Sequence, residues 1–432
     1  MRKHKKHILF YAPLVGILLM LFLQSCKKNG DAAVTPPATP PVTTPVTPPV
    51  TPPVTPPVTK SVNRDSAFVV PNSTKVVEGY LTLSKWYGYS YNDINYSNLT
   101  HIDLSFMTSA SATDATLVYQ DQANITAETN YYSDLTDRSF LGYGDKLLAK
   151  AHVANVKVLI GLAGGTATGV SNLQAIFANT VLRAQFVTNI VTLCEQKGYD
   201  GIALDYEYPG SNTDGLNILN FMKDLRVAFV QSTILKGKQM YISMAMPTGD
   251  WAAKYYDVAS LAKCVDWFSP MTYEYGSATQ ANINAPLYDN SAIGNTSSTD
   301  DAITYYLSTR GVNPLQLAIG VPFYGSQYTN YTTLGATAPG AARATKDMYN
   351  DYIKGGTFTQ MWDATSQHTY YVNTSTHMMI VYDDTKDFVT KSAYIKAKGL
   401  KGAMIWELSR GFVSGATDPN PWLTALGTGV LK

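Results

Sequence analysis

Cysteine is scarce in this chain, with three in 432 residues. One falls at the end of an N-terminal apolar stretch, so a disulfide scaffold and a four-cysteine zinc site are both excluded. Net charge is nearly absent as well, with 33 Lys plus Arg against 32 Asp plus Glu. No general basic field results, and nucleic acid is not expected as a partner. Histidines number six, and neither H-x-x-x-H nor a clustered Cys/His spacing occurs. No metal site and no cofactor are therefore expected. The fingerprint G-x-G-x-x-G is missing after the first predicted strand, which argues against a doubly wound dinucleotide-binding sheet. Against these absences stand 45% hydrophobic and 12% aromatic residues, enough to bury a large core and to exclude wholesale disorder.

The charge is unevenly placed. Residues 1–25 hold Arg2, Lys3, Lys5 and Lys6 and no acid, which leaves 29 basic against 32 acidic side chains in the remainder, a net −3. Basic Met1–His7 precedes an apolar run, Ile8–Leu23, of 16 residues, short of the about 20 that a bilayer span requires. Basic, then apolar, then small is the order of a secretory signal. Leu23-Gln24-Ser25-Cys26 resembles a bacterial lipobox, which implies that Cys26 becomes the lipidated first residue of the mature chain. An ordinary cleaved signal with an incidental cysteine, and a transmembrane anchor, are the competing readings. Thr35–Thr59 reads TPPATPPVTTPVTPPVTPPVTPPVT. Proline fixes φ and donates no hydrogen bond, so this segment is expected as a polyproline-II spacer, at about 3.1 Å per residue roughly 80 Å long. The expected organisation is a signal over 1–25, a Pro/Thr-rich tether over 26–65 and one globular domain over 66–432. The protein is expected to be exported, a monomer, and held by its lipid alone on a bacterial membrane, at the outer membrane or cell surface.

Within the globular part, short β-branched or aromatic runs each precede a segment long enough for a helix. They are Val76–Leu83, Leu99–Met107, Val156–Ala163, Gly201–Tyr208, Met240–Pro247, Val265–Tyr273, Gln316–Phe323 and Gly402–Leu408. Between them lie helical patterns such as Ala184–Lys197, which Gly198 is placed to cap. Strands alternating with helices imply parallel pairing with right-handed crossovers. Over about 370 residues the pattern predicts an α/β fold, a (β/α)8 TIM barrel. The interval between the seventh and eighth runs exceeds one helix and holds further strand-like segments, Thr369–Val372 and Met378–Tyr382. A small α+β insertion is expected at about 326–393, walling a cleft on the barrel's C-terminal face.

Chemistry concentrates in Asp200-Gly-Ile-Ala-Leu-Asp205-Tyr-Glu207-Tyr-Pro209. The strand period of two places Ala203, Asp205 and Glu207 on one face, toward the barrel axis. Two carboxylates so close, partly buried at a strand's C-terminal end, raise the pKa of at least one and suit it to general-acid work near neutral pH. A bare D-x-E would more often be a surface acidic pair.

The stretch resembles the fourth-strand motif D-G-x-D-x-D-x-E of the family-18 glycoside hydrolases, the chitinase family. Val77-Glu-Gly-Tyr80 and Leu99-Thr-His-Ile-Asp103-Leu-Ser-Phe106 are similar to its first two strands, and Lys157-Val-Leu-Ile-Gly161-Leu-Ala-Gly164-Gly165 to its third. Ser269-Pro-Met271-Thr-Tyr273-Glu274 resembles the sixth-strand M-x-Y-D, and Ala318-Ile-Gly-Val-Pro322-Phe323-Tyr324-Gly325 the seventh. Trp362-Asp363, Val381-Tyr382-Asp383-Asp384 and Gly402-Ala-Met-Ile-Trp406-Glu407-Leu408 resemble the insertion and the eighth strand.

The resemblance implies substrate-assisted, retaining hydrolysis of β-1,4-linked N-acetylglucosamine, in chitin or another glycan containing that sugar. Glu207 is then the acid and base. Asp205 holds the substrate acetamide N–H, and Tyr273 bonds its carbonyl side. Trp406 floors the −1 subsite, and Tyr80, Met271 and Glu274 join the substrate-binding surface. Tyr273 and Trp406 also read as plain core aromatics, and Asp205 as a buried partner of Tyr273. Three positions depart from the family pattern. Its middle aspartate is Ala203, the third-strand serine is Gly161, and the sixth-strand aspartate is Glu274. The paired loss at 203 and 161 removes two adjoining polar groups together, which avoids stranding either one. An endo-acting chitinase is the first functional reading. An endo-β-N-acetylglucosaminidase acting on N-glycans and a catalytically weak lectin-like barrel are the alternatives.

Secondary candidates read two ways. Tyr87, Tyr89, Tyr91, Trp86 and Trp251 are either sugar-stacking platforms or packing residues. His101 reads as a satisfied core histidine, and Cys194 and Cys264 as buried thiols that pair only if their Cα atoms lie within about 7 Å.

Overall fold

The structure is a computed structural model that describes residues 63–64, 66–83, 89–120, 139–163 and 166–432. The expectations placed on the signal segment, on Cys26 and on the tether to residue 62, and those on Trp86 and Tyr87, lie outside the described residues.

Among the described residues fourteen strands follow one another. β1 (Val76–Thr82), β2 (His101–Ser111), β3 (Asp114–Tyr119), β4 (Lys157–Ala163), β5 (Gly201–Asp205), β6 (Tyr241–Met246) and β7 (Trp267–Pro270) come first. Then come β8 (Ala318–Pro322), β9 (Tyr324–Tyr328), β10 (Gly340–Ala344), β11 (Thr359–Asp363), β12 (His368–Asn373), β13 (Met378–Val381) and β14 (Gly402–Trp406). Eight of them pair in parallel in the order β7-β6-β5-β4-β2-β1-β14-β8. A parallel bridge between Phe268 and Leu317 joins the two ends of that order, so the sheet closes into a (β/α)8 barrel, as the alternation of runs predicts. The antiparallel β3 extends β2 beyond the ring. Parallel barrel strands are covered on both faces, which is why runs such as Val158-Leu-Ile carry no polar alternation and are fully buried.

The helices start and stop where local chemistry dictates. Asn179 accepts from the amides of Val181 and Leu182 to open the helix Thr180–Lys197, and Gly198 closes it at φ +90°. That helix starts four residues before the expected Ala184 and ends at the expected Lys197. Ser139 and Ser211 cap Phe140–Val153 and Asn212–Gln231 in the same way. Asp384 and Asp387 form a capping box on Thr385–Ala397.

Side chains alternate in and out of the barrel, and the strand register sorts the inward ones into layers drawn from alternate strands. The ring's register advances by about eight residues per circuit, the usual stagger of an eight-stranded barrel. Glu78, Leu159, Ser243 and Ala318 make the deepest of the layers that concern the site. Above it lie Asp103, Ala203, Ser269 and Met404, then Tyr80, Gly161, Ala245 and Gly320. Ser105, Asp205, Met271 and Trp406 form the layer at the C-terminal rim.

Between β8 and β14 the chain builds a five-stranded antiparallel sheet in the order β10-β9-β13-β12-β11, with its own core around Tyr328, Val372, Met379 and Val381. A buried ionic knot ties this insertion to the barrel. His368 Nε2 lies 2.7 Å from Asp383 Oδ1, and Lys391 pairs with the same carboxylate while donating to the Ala285 carbonyl at 2.8 Å.

Candidate active site

The C-terminal ends of the barrel strands surround a cleft of about 530 Å³. Asp205, Glu207, Tyr273, Trp406, Tyr80, Met271 and Glu274 all line it. Asp205 is the last residue of β5, 4% exposed, and its Oδ1 has no hydrogen-bond partner among the described residues. The same-face reading of Glu207 needs one correction. The strand stops at Asp205, and Glu207 stands two residues beyond it, on irregular chain that brings it half-buried to the cleft. Burial raises the Asp205 pKa well above the usual carboxylate range, and the neighbouring Glu207 adds to this. Burial also raises Glu207, against the opposing effect of a hydrogen bond from Tyr208 and with help from Glu274. Both effects favour a protonated carboxyl at the rim, which is what a proton donor needs.

Around the pair, the register and the loops after the strands set an aromatic frame. Trp406 ends β14, with Tyr80 at a ring distance of 5.4 Å and Phe106 stacked at 5.8 Å. Met271 and Tyr273 lie just past β7, both half-buried. Burial, with Tyr324 and the nearby carboxylates, holds the Tyr273 phenol far above its ordinary pKa, so it acts as a neutral hydrogen-bonding group. Exposed Glu274 accepts a 2.8 Å hydrogen bond from the Tyr324 hydroxyl. Trp251, 58% exposed, stands edge-on to Tyr208 at 4.7 Å in the same cleft.

Several expectations resolve into packing. Tyr89 and Tyr91 are buried against Phe412 and Tyr143, outside the cleft. His101 is enclosed edge-on between Tyr241 and Trp267, and burial beside Lys401 and Lys157 lowers its pKa to about 3, a neutral core histidine. Cys194 and Cys264 are buried free thiols. Among the described residues no group of three or more His, Cys, Asp or Glu side chains is arranged to hold a metal ion.

Other residues of the site were not singled out from the sequence. Tyr208, Tyr324, Phe106, Glu407 and Arg410 line the cleft, and buried Glu407 accepts from Ser409 Oγ at 2.5 Å. Four of these five lay inside recognised motifs; their roles depend on cross-barrel proximity, which spacing along one strand does not reveal. The polar interior expected to be lost at Ala203 and Gly161 is built instead from β1 and β2. A Cβ on Gly161 would stand 2.1 Å from Ser105 Oγ, so the hydroxyl of Ser105 already occupies that space. Glu78 and Asp103 fill the interior below.

A family model described as "Glycosyl hydrolases family 18" matches residues 77–411. Chitinase A1 of Niallia circulans is 27% identical over 401 residues, covering 78% of this chain and 56% of that protein, so the chain spans little more than half of that relative's length. The crystal structure of Ostrinia furnacalis Group II chitinase catalytic domain 2 superposes with a TM-score of 0.69 at 25% identity, over 83% of this chain and 97% of that one. A chitinase-like agglutinin from Robinia pseudoacacia superposes with a TM-score of 0.67 at 25% identity, over 82% and 99%. With its barrel, its rim carboxylates and a family match running through nearly the whole described domain, the chain belongs to family 18 of the glycosyl hydrolases.

Proposed function

We propose that this chain hydrolyses β-1,4-N-acetylglucosamine linkages in chitin or chito-oligosaccharides, with Glu207 as acid and then base. The observation that carries this reading is the convergence of Glu207, Asp205, Tyr273 and Trp406 on one cleft, with burial favouring a protonated Glu207. Glu207 delivers its proton to the glycosidic oxygen as the C1–O bond breaks. The substrate's own acetamide oxygen attacks C1 from the opposite face, so no protein nucleophile is required. Asp205 accepts a hydrogen bond from the acetamide N–H and stabilises the cationic ring that forms, while Tyr273 donates to its oxygen side. Glu207, now a carboxylate, takes a proton from the water that reopens the ring, and the anomeric configuration is retained. The indole of Trp406 offers an apolar face to the C–H face of the sugar.

The test is release of short oligomers from N-acetylglucosamine chains of defined length. Glu207→Gln is expected to lose at least about 10²-fold in kcat while still binding the oligomer, and full activity in that variant refutes the role. A high-mannose glycoprotein assayed in parallel separates chitin from N-glycan hydrolysis. The likeness to an agglutinin supports a second reading, carbohydrate binding without turnover. Wild-type turnover no faster than that of Glu207→Gln would select it.

The N-terminal reading completes the proposal: a monomeric domain, exported and lipidated at Cys26, stands off a bacterial membrane on its Pro/Thr tether. Labelling with a radioactive fatty acid that is lost in Cys26→Ala supports this, and labelling that persists in the variant overturns it.

A further inference from the structure

The barrel interior holds two carboxyl groups that the hydrolytic scheme does not use. Glu78 is 1% exposed and Asp103 fully buried. Three donors converge on Glu78: Ser243 Oγ at 2.6 Å on Oε1, and Trp267 Nε1 at 2.9 Å with Ser269 Oγ at 3.3 Å on Oε2. Neither Asp103 oxygen has a hydrogen-bond partner among the described residues. Burial and the neighbouring Glu78 carboxyl hold its pKa well above the usual carboxylate range. Two carboxyls buried as neighbours do not both carry charge, so one of them keeps a proton. Burial raises both carboxyls, but only at Glu78 do donors oppose it, so the donor inventory assigns that proton to Asp103 and the charge to Glu78.

The position of the pair is as telling as its chemistry. Asp103 shares its layer with Ala203, whose methyl group leaves the polar role of that layer to β2. Asp205 stands in the rim layer of the same alternate strands, its Oδ1 buried and unpartnered. Gly161, between them on β4, has no side chain to intervene. The ionisable groups that face the pair are few. Tyr80 from β1 is held neutral by burial and by Asp205, Asp103 and Glu78, and His101 from β2, below, is neutral as well. Asp205 from β5 acts on Asp103 as a like charge, and Glu207 and Tyr273 stand beyond Asp205 at the rim.

We propose that Glu78 and Asp103 are positioning residues that hold one proton and one fixed negative charge beneath Asp205, and thereby set the pH at which Asp205 becomes the carboxylate that meets the substrate acetamide. This rests on the hydrolytic role proposed above for Asp205. The proton stays within the pair throughout the cycle. Substrate is met only by Asp205, and the pair acts through its field.

The test combines a kinetic and a spectroscopic measurement on the mature protein. Glu78→Gln and the double variant Glu78→Gln/Asp103→Asn remove the fixed charge. The acid limb of the kcat profile is expected to move to lower pH by about one unit in both, with the alkaline limb in place. Asp103→Asn keeps the charge on Glu78, so its acid limb stays near that of wild type. In the infrared, the band of a protonated, buried carboxylic acid present at neutral pH in wild type is expected to vanish in Asp103→Asn. Acid limbs that coincide in wild type, Glu78→Gln and the double variant, all folded by circular dichroism, overturn the proposal, as does a spectrum without the Asp103 band. If the wild type hydrolyses no N-acetylglucosamine chain, the functional reading falls separately. Infrared titration of Asp205 in the unliganded protein then decides the inference: a midpoint lower in the double variant upholds it, and an unmoved one overturns it.

Discussion

Gly161 and Ser105 compete for one volume, and that competition predicts the result of restoring the family's serine at 161. A Cβ at Gly161 would lie 2.1 Å from Ser105 Oγ, 2.9 Å from Ser105 Cβ and 3.1 Å from Ser105 Cα. The backbone contact cannot be relieved by a rotamer change, so Gly161→Ser forces β2 and β4 apart. Overpacking of this kind costs about 1–3 kcal/mol. Ser105→Ala alone loses the 3.0 Å hydrogen bond from Ser105 Oγ to the Asp103 carbonyl, about 0.5–1.5 kcal/mol. In the double variant the hydroxyl arrives from residue 161 instead of 105, and the tightest contact, the one at 2.1 Å, is gone while those to Cβ and Cα remain. The two changes should therefore be non-additive, the double variant being more stable than the sum of the singles by at least about 1 kcal/mol. For a domain of this size that corresponds to roughly 1–3 °C in Tm, readable by scanning calorimetry. Ser105 shares the rim layer with Asp205 and Trp406, so kcat should follow the same pattern of loss and partial recovery. Additive effects, or a Gly161→Ser variant as stable as wild type, would refute the steric account.

Glu274 raises the Glu207 pKa as a like charge, so Glu274→Gln should let Glu207 ionise earlier. The alkaline limb of kcat/KM is expected to move to lower pH, by no more than about half a unit because Glu274 is exposed and screened; a pH profile of chromogenic substrate hydrolysis checks this. Lys391→Met leaves the buried Asp383 carboxylate with His368 but without its ammonium partner and should cost up to about 3–5 kcal/mol, read as a lower Tm at neutral pH. Burial pushes Asp383 up, but Lys391 and His368 outweigh it and leave its pKa below the usual range. Its contribution is therefore complete above the unfolded value of about 3.9 and lost as pH falls through the lowered folded value, so the Tm gap between wild type and variant should narrow in acid.

Much of the architecture was legible in one dimension. Runs such as Val158-Leu-Ile-Gly-Leu carry strand and burial signals together, and their alternation with capped helices leaves few topologies open. Trp406, Tyr273 and Glu207 were legible because each sits at the end of a recognisable strand motif. Glu207 was placed on the right cleft for an incomplete reason: β5 ends at Asp205, and the chain beyond it, not strand periodicity, carries the glutamate to the rim. Tyr89 and Tyr91 were ambiguous because alternation near a strand end is the same for a sugar platform and for a half-buried packing residue.

The consequences of Ala203 and Gly161 were the least legible. Read along their own strands they are losses of polar groups. Glu78 bonds Ser243, 165 residues away, and Trp267, 189 residues away, and the substitute network becomes visible only when barrel closure brings β1, β2, β6 and β7 around one axis. Local patterning thus determined which segments are strands and which of their faces are buried, because those properties follow from periods of two and from capping. Which carboxyl lies beneath which, and hence where protons reside, was decided by the register around the closed ring, since a stagger shared by eight strands brings together side chains that no stretch of sequence places side by side.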